Sequence, residues 1–333
     1  MEKKPILSAK DVEITFSLRG NKLNAIRKCS LDLYDGETLA IVGESGSGKS
    51  VTSNTIMRLL PKNGKVVNGE ILFEGKDIAK LKEKDMLKIR GQEISMIFQD
   101  PMTALDPVFR IGDQVMEVIL AHHKMPKEEA RKMAIKALEM VGISQAEKRM
   151  ESYPHEFSGG MRQRVMIAMA IALEPKLIIA DEPTTALDVT VQFQVLDLLK
   201  DLQKKMGTSV ILVTHNLGVV WSMCDTVMVM YAGKTVEYAD AKTLYQNAKH
   251  PYTWGLLNSM PKLDDDPNKP LASIPGTPPD LKLTGNSCNF HNRCKYCQQI
   301  CKEKVPELVE IEPGHFVACH FQTKEKQMQR RED

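Results

Sequence analysis

The sequence predicts an α/β protein whose core is a buried sheet covered by helices. Three observations predict it. Short segments that are apolar throughout, ETLAIV (37–42), LIIADEP and SVILVTH, read as strands buried on both faces. Helical segments with apolar residues at a 3.6-residue period alternate with them. The first of these strands runs straight into a glycine-rich octet, Gly43-Glu44-Ser45-Gly46-Ser47-Gly48-Lys49-Ser50, and then into a helix expected over Lys49–Leu60.

The octet fits the phosphate-binding pattern G-x-x-x-x-G-K-[ST]. Glycines let the backbone turn tightly and aim several N–H groups at one phosphate. The helix that follows begins with the positive end of its dipole at the same point. Lys49 adds a point charge for terminal phosphates, and Ser50 offers a hydroxyl to Mg²⁺. A chance Gly/Ser-rich turn can spell the same letters, so the rest of the chain has to decide.

The totals set bounds. With 333 residues the chain can hold one large domain and a smaller one. A formal net charge of +2 with 26% charged residues argues against nucleic-acid binding by bulk charge. The first residues lack the apolar core of a signal peptide, and the longest apolar run, Val165–Leu173, is far too short to span a bilayer. A cytosolic chain is therefore expected, with any membrane role supplied by a partner.

Residues 1–42 alternate short apolar stretches with polar turns and read as an antiparallel β-layer. Phe16 within it is open to two readings, a core-facing strand aromatic or a stacking surface for a base. Short strands are expected between Gly64, Gly69 and Gly75, then a charged helix, then the strand ISMIFQ ending at Gln99. Asp100-Pro101 stops that strand, because Pro fixes φ and lacks a donor. Gln99 is either a turn residue or a group at the carboxyl edge of the sheet, where ligands of open α/β sheets bind.

Residues 112–150 are helical by period, with Val115, Val118, Ile119, Ile135, Leu138 and Val141 on apolar faces. They form a helical insertion after Gln99, in which Met116, Met133 and Met140 read as core filler. Phe157-Ser158-Gly159-Gly160-Met161 precedes a long helix, and is either a second anion site or a plain N-cap by Ser158. The strand LIIADEP ends in Asp181 and Glu182: the first suits a water-mediated Mg²⁺ contact, the second the orientation of water. ALD (186–188) opens another helix, and SVILVTH ends at His215, which is either a turn or cap residue or, beside two acids and the octet, the favoured γ-phosphate contact.

This ordered set of motifs resembles the ABC-transporter ATPase family, over about residues 5–245. The resemblance implies a RecA-like P-loop NTPase core with an antiparallel β-subdomain and an inserted helical subdomain (about 100–165). It also implies a head-to-tail ATPase dimer with each ATP between the P-loop of one subunit and the FSGGM loop of the other. Carried over residue by residue, ATP contacts fall on Phe16, Gly43, Ser45, Gly46, Gly48, Lys49, Ser50 and Val51. Mg²⁺ falls to Ser50, Gln99 and Asp181, and catalysis to Glu182, His215 and Gln99. The signature acting across the dimer falls on Ser158, Gly159 and Gly160, and the D-loop on Asp188. The commonest signature reads LSGGQ; here Phe157 and Met161 stand at its variable ends.

GESGSGKSV, FQDPMTALDP, FSGGMRQRVMIAMA and HPYTWGLL resemble more narrowly the dipeptide/oligopeptide importer ATPases, with nickel importers of the same subfamily as the alternative. That implies a nucleotide-binding domain over 1–248 and a small cysteine-rich C-terminal extension over 249–333. It further implies a second ABC ATPase subunit, with a heterodimer favoured, two membrane-spanning permease subunits, indirectly an extracytoplasmic peptide-binding protein, and a peripheral place at the cytoplasmic face of the membrane.

Of seven cysteines, Cys29 and Cys224 are isolated and five crowd the last 50 residues, which reads as metal or cluster binding rather than disulfides. Residues 262–285, rich in Pro, Asp and Gly, read as an extended connection. Zinc would prefer paired C-x2-C elements and only one is present, whereas irregular thiolate spacing suits iron and sulfide. Related importer subunits place a [4Fe-4S] cluster on a pattern that maps to Cys288, Cys294, Cys301 and Cys319. Cys297 is an alternative ligand, and zinc or unmetallated packing cysteines remain the other readings.

Overall fold

The computed structural model describes residues 4–18, 21–185, 187–261, 272–282, 285–325 and 327–330. The connection expected over 262–285 falls mostly outside these residues, as does Ala186.

In chain order the first half comprises β1 (Leu7–Leu18), β2 (Asn21–Leu33), β3 (Thr38–Val42), α1 (Lys49–Ile56), β4 (Gly64–Phe73), β5 (Lys76–Asp77), α2 (Glu83–Ile89), β6 (Ile94–Ile97), α3 (Pro101–Ala104), α4 (Ile111–His122), α5 (Lys127–Met140) and α6 (Ala146–Arg149). Then follow α7 (Gly159–Ile171), β7 (Leu177–Asp181), α8 (Val189–Met206), β8 (Ser209–Thr214), α9 (Leu217–Met223), β9 (Thr226–Tyr231), β10 (Lys234–Asp240), α10 (Ala241–Asn247), α11 (Pro251–Asn258), α12 (Gln299–Glu303), β11 (Val309–Glu312) and β12 (His315–Val317). The chain divides into two compact units: Met1–Leu33 with Thr38–Ala79 and Thr214–Asp333, and Tyr34–Glu37 with Lys80–Val213.

The first unit carries an antiparallel sheet in the order β2-β1-β4-β5. What reads in sequence as several short strands around Gly69 is one strand, β4, that bends at that glycine. Gly69 has φ +90°, and a Cβ there would lie 2.5 Å from the carbonyl oxygen of Lys10. The same unit lays β3 parallel to β9, then adds β10, β12 and β11 antiparallel. Within this unit the strands that carry the octet are therefore part of a mixed arrangement, parallel at β3–β9 and antiparallel beyond it. The β9–β10 hairpin turns at Ala232 (φ 46°) and Gly233 (φ 78°), the positive pair that two-residue hairpins require. Val42, Val227, Val229, Tyr231, Tyr252 and Phe290 pack in one buried cluster, so residues after 249 share a core with the strand that leads to the octet. Helix α1 stops at Ile56, short of the expected Leu60, because Arg58 adopts φ 52°.

In the second unit β6, β7 and β8 run parallel, each fully buried, as their apolar sequences predict. Val115, Ile119, Leu138 and Val141 are buried, which confirms the helical period, while Val118 and Ile135 are half-buried. Met116, Met133 and Met140, expected as core filler, are only half-buried; α5 buries Ala130, Ala134, Ala137 and Leu138 instead of its methionines, and α4 buries Ile111, Val115 and Ile119. Gly112 lets α4 start hard against Met150, whose carbonyl oxygen accepts its N–H at 2.9 Å.

Candidate functional site: a phosphate-binding loop, a carboxylate pair and a cysteine-lined cavity

The octet forms the expected loop between β3 and α1. Gly43 sits so close to β9 that a Cβ would lie 2.2 Å from the carbonyl oxygen of Met230, and Gly48 (φ 107°) would meet Ile26 Cδ1 at 2.5 Å. Ser45 and Gly46 at the tip are exposed, and Gly46 has φ 76° with open space beside it. Lys49 is buried; its Nζ donates to the carbonyl oxygens of Gly43 (2.9 Å) and Glu44 (3.1 Å). Ser50 and Val51 lie half-buried in the first turn of α1, where the unsatisfied N–H groups and the dipole favour an anion.

Two more predicted residues belong to the same unit. Phe16 is half-buried on β1 opposite Gly64, and a Cβ at Gly64 would lie 2.6 Å from its ring, so the glycine leaves room for the aromatic. Ile14, two residues earlier on the same face, is fully buried, and the ring of Phe16 therefore lies where the core gives way to solvent. His215 is exposed just beyond β8, before the Asn216 cap of α9.

In the second unit β7 delivers Asp181, buried, and Glu182, half-buried, at its carboxyl end. Glu182 adopts φ 46°, a left-handed conformation that non-glycine residues hold only when their surroundings enforce it. Its N–H donates to the carbonyl oxygen of Val213 (2.9 Å), and its Oε2 accepts from Gln99 Nε2 (3.2 Å) and Thr185 Oγ1 (3.0 Å). Gln99 and Glu182 are thus brought together, although 83 residues apart. Thr185 was not foreseen; its position three residues after Glu182 is the signal.

The signature serine does what its plain reading says and stays available for more. Ser158 Oγ caps α7 by accepting from Met161 N at 3.3 Å, and remains exposed. Gly160 lies against α8: a Cβ would approach Val191 Cγ1 at 2.7 Å. Asp188 caps α8 by accepting from Val191 N at 3.0 Å. The signature and Asp188 therefore sit on the touching N-terminal turns of two helices in one unit.

Cys288, Cys294, Cys301 and Cys319 line one cavity with Phe290, Tyr296 and His250, and Cys297 is not among its walls. Burial pushes the Cys294 thiol up to about 12 and Cys319 to about 11, and raises Cys288 as well. Loss of water disfavours the thiolate in an apolar wall. Among the described residues, no group of three or more His, Cys, Asp or Glu side chains is drawn tightly enough to hold a single metal ion. Cys288, Cys294, Cys301 and Cys319 thus share one cavity without forming such a group.

The first unit carries the P-loop and the second the strand-end carboxylate pair, the two parts that a P-loop ATPase needs. Comparison with known proteins makes this more particular. Residues 26–185 match the ABC transporter family, and residues 236–301 match the oligopeptide/dipeptide transporter C-terminal region. The oligopeptide transport ATP-binding protein of Bacillus subtilis is 54% identical over 94% of this chain and 87% of its own. The dipeptide transport ATP-binding protein of Lactococcus lactis is 49% identical over 95% of this chain and 90% of its own. A solved ATP-binding cassette, described as a dimer in a post-hydrolysis state with ADP and Pi, is similar with TM-score 0.63 and 30% identity over 71% of this chain and 98% of that one. A Clostridium perfringens chain described as part of an ABC transporter complex gives TM-score 0.64 and 29% identity over 74% of this chain and 92% of that one. The chain belongs to the ABC-transporter ATP-binding proteins, in the branch named for oligopeptide and dipeptide transport, and has the ABC cassette fold.

Proposed function

We propose that the chain hydrolyses ATP to power import of dipeptides or oligopeptides through a membrane ABC transporter. The observation that carries the reading is the buried Asp181 beside Glu182, whose carboxylate is held by Gln99 and Thr185 at the end of a buried strand. Transfer of a phosphoryl group to water asks the protein for positioning and charge compensation rather than covalent help.

In this reading Lys49 and the N–H groups of the loop from Gly43 to Val51 hold the β- and γ-phosphates, and Phe16 stacks on the base. Mg²⁺, when bound, neutralises charge on the phosphate oxygens; Ser50, Asp181 and Gln99 offer the oxygen donors that a hard cation takes. Glu182 orients and polarises the attacking water, and His215 holds the γ-phosphate region. Ser158, Gly159 and Gly160, with Asp188, serve the nucleotide of a second ATPase subunit, so hydrolysis requires closure of a dimer. ATP favours the closed state by its differential affinity and so shifts the population that moves the attached subunits.

The partners in this reading are a second, different ABC ATPase subunit, two membrane-spanning permease subunits and, through them, a peptide-binding protein. The chain would attach peripherally at the cytoplasmic face of the membrane; among the described residues no helix is long and apolar enough to cross it. The relatives named above are named for peptide transport, and the nickel alternative is not favoured. Residues 1–248 would form the nucleotide-binding domain and 249–333 the extension. In the extension Cys288, Cys294, Cys301 and Cys319 would hold a [4Fe-4S] cluster, which supplies rigidity or redox sensing rather than electrons for ATP chemistry. A single zinc ion needs its ligands converged on one centre and suits this wall less well.

The test is Glu182→Gln in the purified transporter. ATP binding is retained and turnover falls by about 10²–10⁴-fold, the usual worth of a positioned general base. Unchanged turnover removes Glu182 from the role.

A further inference from the structure

Glu44 is the first variable residue of the phosphate-binding octet, and its side chain is held by a residue far away in the chain. Both of its carboxylate oxygens are taken by Arg293: Nη1 donates to Oε2 at 2.6 Å and Nη2 to Oε1 at 2.9 Å. This is the bidentate fork that makes Arg more than a point charge. The Arg293 side chain is only 4% exposed. Its remaining donors are used as well: Nε reaches the carbonyl oxygen of Pro275 (2.8 Å), Nη2 that of Ile274 (3.1 Å), and Nη1 the hydroxyl of Tyr231 (3.3 Å). A guanidinium so completely engaged has one orientation available to it.

The backbone of Glu44 is held by the same neighbourhood. Its N–H donates to the hydroxyl of Tyr252, which is fully buried, at 2.8 Å. Its carbonyl oxygen accepts from Lys49 Nζ at 3.1 Å. Tyr252, Tyr231 and Phe290 form one aromatic cluster, with ring centroids 4.5–5.4 Å apart. Arg293 and Phe290 both belong to the loop between Cys288 and Cys294, and the neighbouring Asn289 Nδ2 donates to the carbonyl oxygen of Ala232 at 3.0 Å, where β9 turns into β10. Arg293 N donates to the carbonyl oxygen of Phe290 at 3.0 Å, which fixes the loop that carries the guanidinium.

We propose that Arg293 is a positioning residue for nucleotide binding: the loop between Cys288 and Cys294 sets the shape of the phosphate-binding loop through the Arg293–Glu44 pair. The physical reason is direct. The octet binds phosphate by converging N–H groups, and their convergence depends on where the backbone at residue 44 is held. Removing the guanidinium leaves a partly buried carboxylate beside the phosphate site, which repels the anion and lets the loop open. Linkage is reciprocal, so bound nucleotide must in turn restrain the cysteine-bearing loop. The inference rests on the ATPase reading, and it concerns a residue outside every motif of that reading.

The test is a double-mutant cycle on the full chain in the purified transporter, prepared anaerobically, with Arg293→Ala, Glu44→Gln and the double variant, and Arg293→Lys as the conservative partner. Equilibrium binding of ATP with Mg²⁺, steady-state turnover, and hydrogen–deuterium exchange of peptides spanning 288–294 are measured together. Expected is a loss of ATP affinity of at least about fivefold for Arg293→Ala, within the ordinary range of site-to-site coupling. It should appear in KM while kcat changes little. The double variant should be no weaker than the weaker single, because the pair acts as a unit. Arg293→Lys, keeping the charge but not the fork, should fall between. In the wild type, ATP should slow exchange over 288–294, and Arg293→Ala should abolish that slowing. Wild-type affinity in Arg293→Ala, additive losses in the double variant, or ATP-independent exchange in the wild type would each overturn the inference. Should Arg293→Ala fail to fold, Arg293→Lys and the wild-type exchange experiment decide alone. Failure of the wild type to bind ATP would instead strike the ATPase reading itself.

Discussion

Replacing Gly43 by Ala tests whether the loop's shape is dictated by contact with β9. The added Cβ would lie 2.2 Å from the carbonyl oxygen of Met230 and 2.9 Å from Ser47 Oγ, at a backbone φ of +151°. The first obstacle is backbone, so it cannot rotate away. Overpacking of this kind costs about 1–3 kcal/mol, and holding Ala in that backbone conformation adds about 1–3 kcal/mol. Gly46 provides the internal control: it too has positive φ (76°), but a Cβ there meets nothing within 4 Å. Gly46→Ala should therefore cost only about 1–2 kcal/mol, the left-handed penalty of an L-residue. Thermal unfolding by circular dichroism reads the difference, at about 2–4 °C per kcal/mol for a unit of this size. Gly43→Ala should melt well below Gly46→Ala. Equal melting temperatures for the two would refute the contact argument.

Other outcomes follow from the same geometry. Glu237 is fully buried and accepts from Lys249 N, His250 N and His315 Nε2, so Glu237→Ala strands three donors. A loss of about 3–5 kcal/mol is expected, as for one partner removed from a buried pair, with early loss of exchange protection in 309–317. Asp240 caps α10; desolvation pushes its carboxyl up, but hydrogen bonds from the side chain and N–H of Thr243 and the N–H of Lys242 outweigh it and hold the value below the usual range. That contribution is complete above the unfolded value and fades as pH falls through the lower folded one. Asp240→Ala should cost about 1 kcal/mol at neutral pH and nothing measurable in strong acid. Protein purified anaerobically should contain iron and acid-labile sulfide, and Cys294→Ser should lose both; a colourless, iron-free preparation contradicts the cluster.

Much of this was legible in the sequence because the motifs are local. The octet, LIIADEP and FSGGM each fall on one strand end or helix start, where a few adjacent residue types decide both the turn and the chemistry. What escaped was set by packing between distant segments. Nothing near Glu44 in sequence reveals that Arg293 grips it 249 positions away, although CNFHNRC holds that arginine in plain view. The left-handed backbone of Glu182 is likewise invisible to propensity, which disfavours it; the hydrogen bond to Val213 and the flanking Gln99 and Thr185 hold it there. The antiparallel additions to the sheet escape the sequence because the apolar run of β9 does not tell which neighbour it takes: it pairs parallel with β3 on one side and antiparallel with the largely polar β10 on the other.

The central claim is that ATP hydrolysis at this site drives peptide uptake. The most direct measurement is uptake of labelled dipeptides and oligopeptides, alongside labelled nickel, in cells whose only copy of the chain carries Glu182→Gln. The account predicts that peptide uptake is lost while nickel uptake is unchanged. Peptide uptake at the wild-type rate, with the variant present at wild-type abundance, would contradict it.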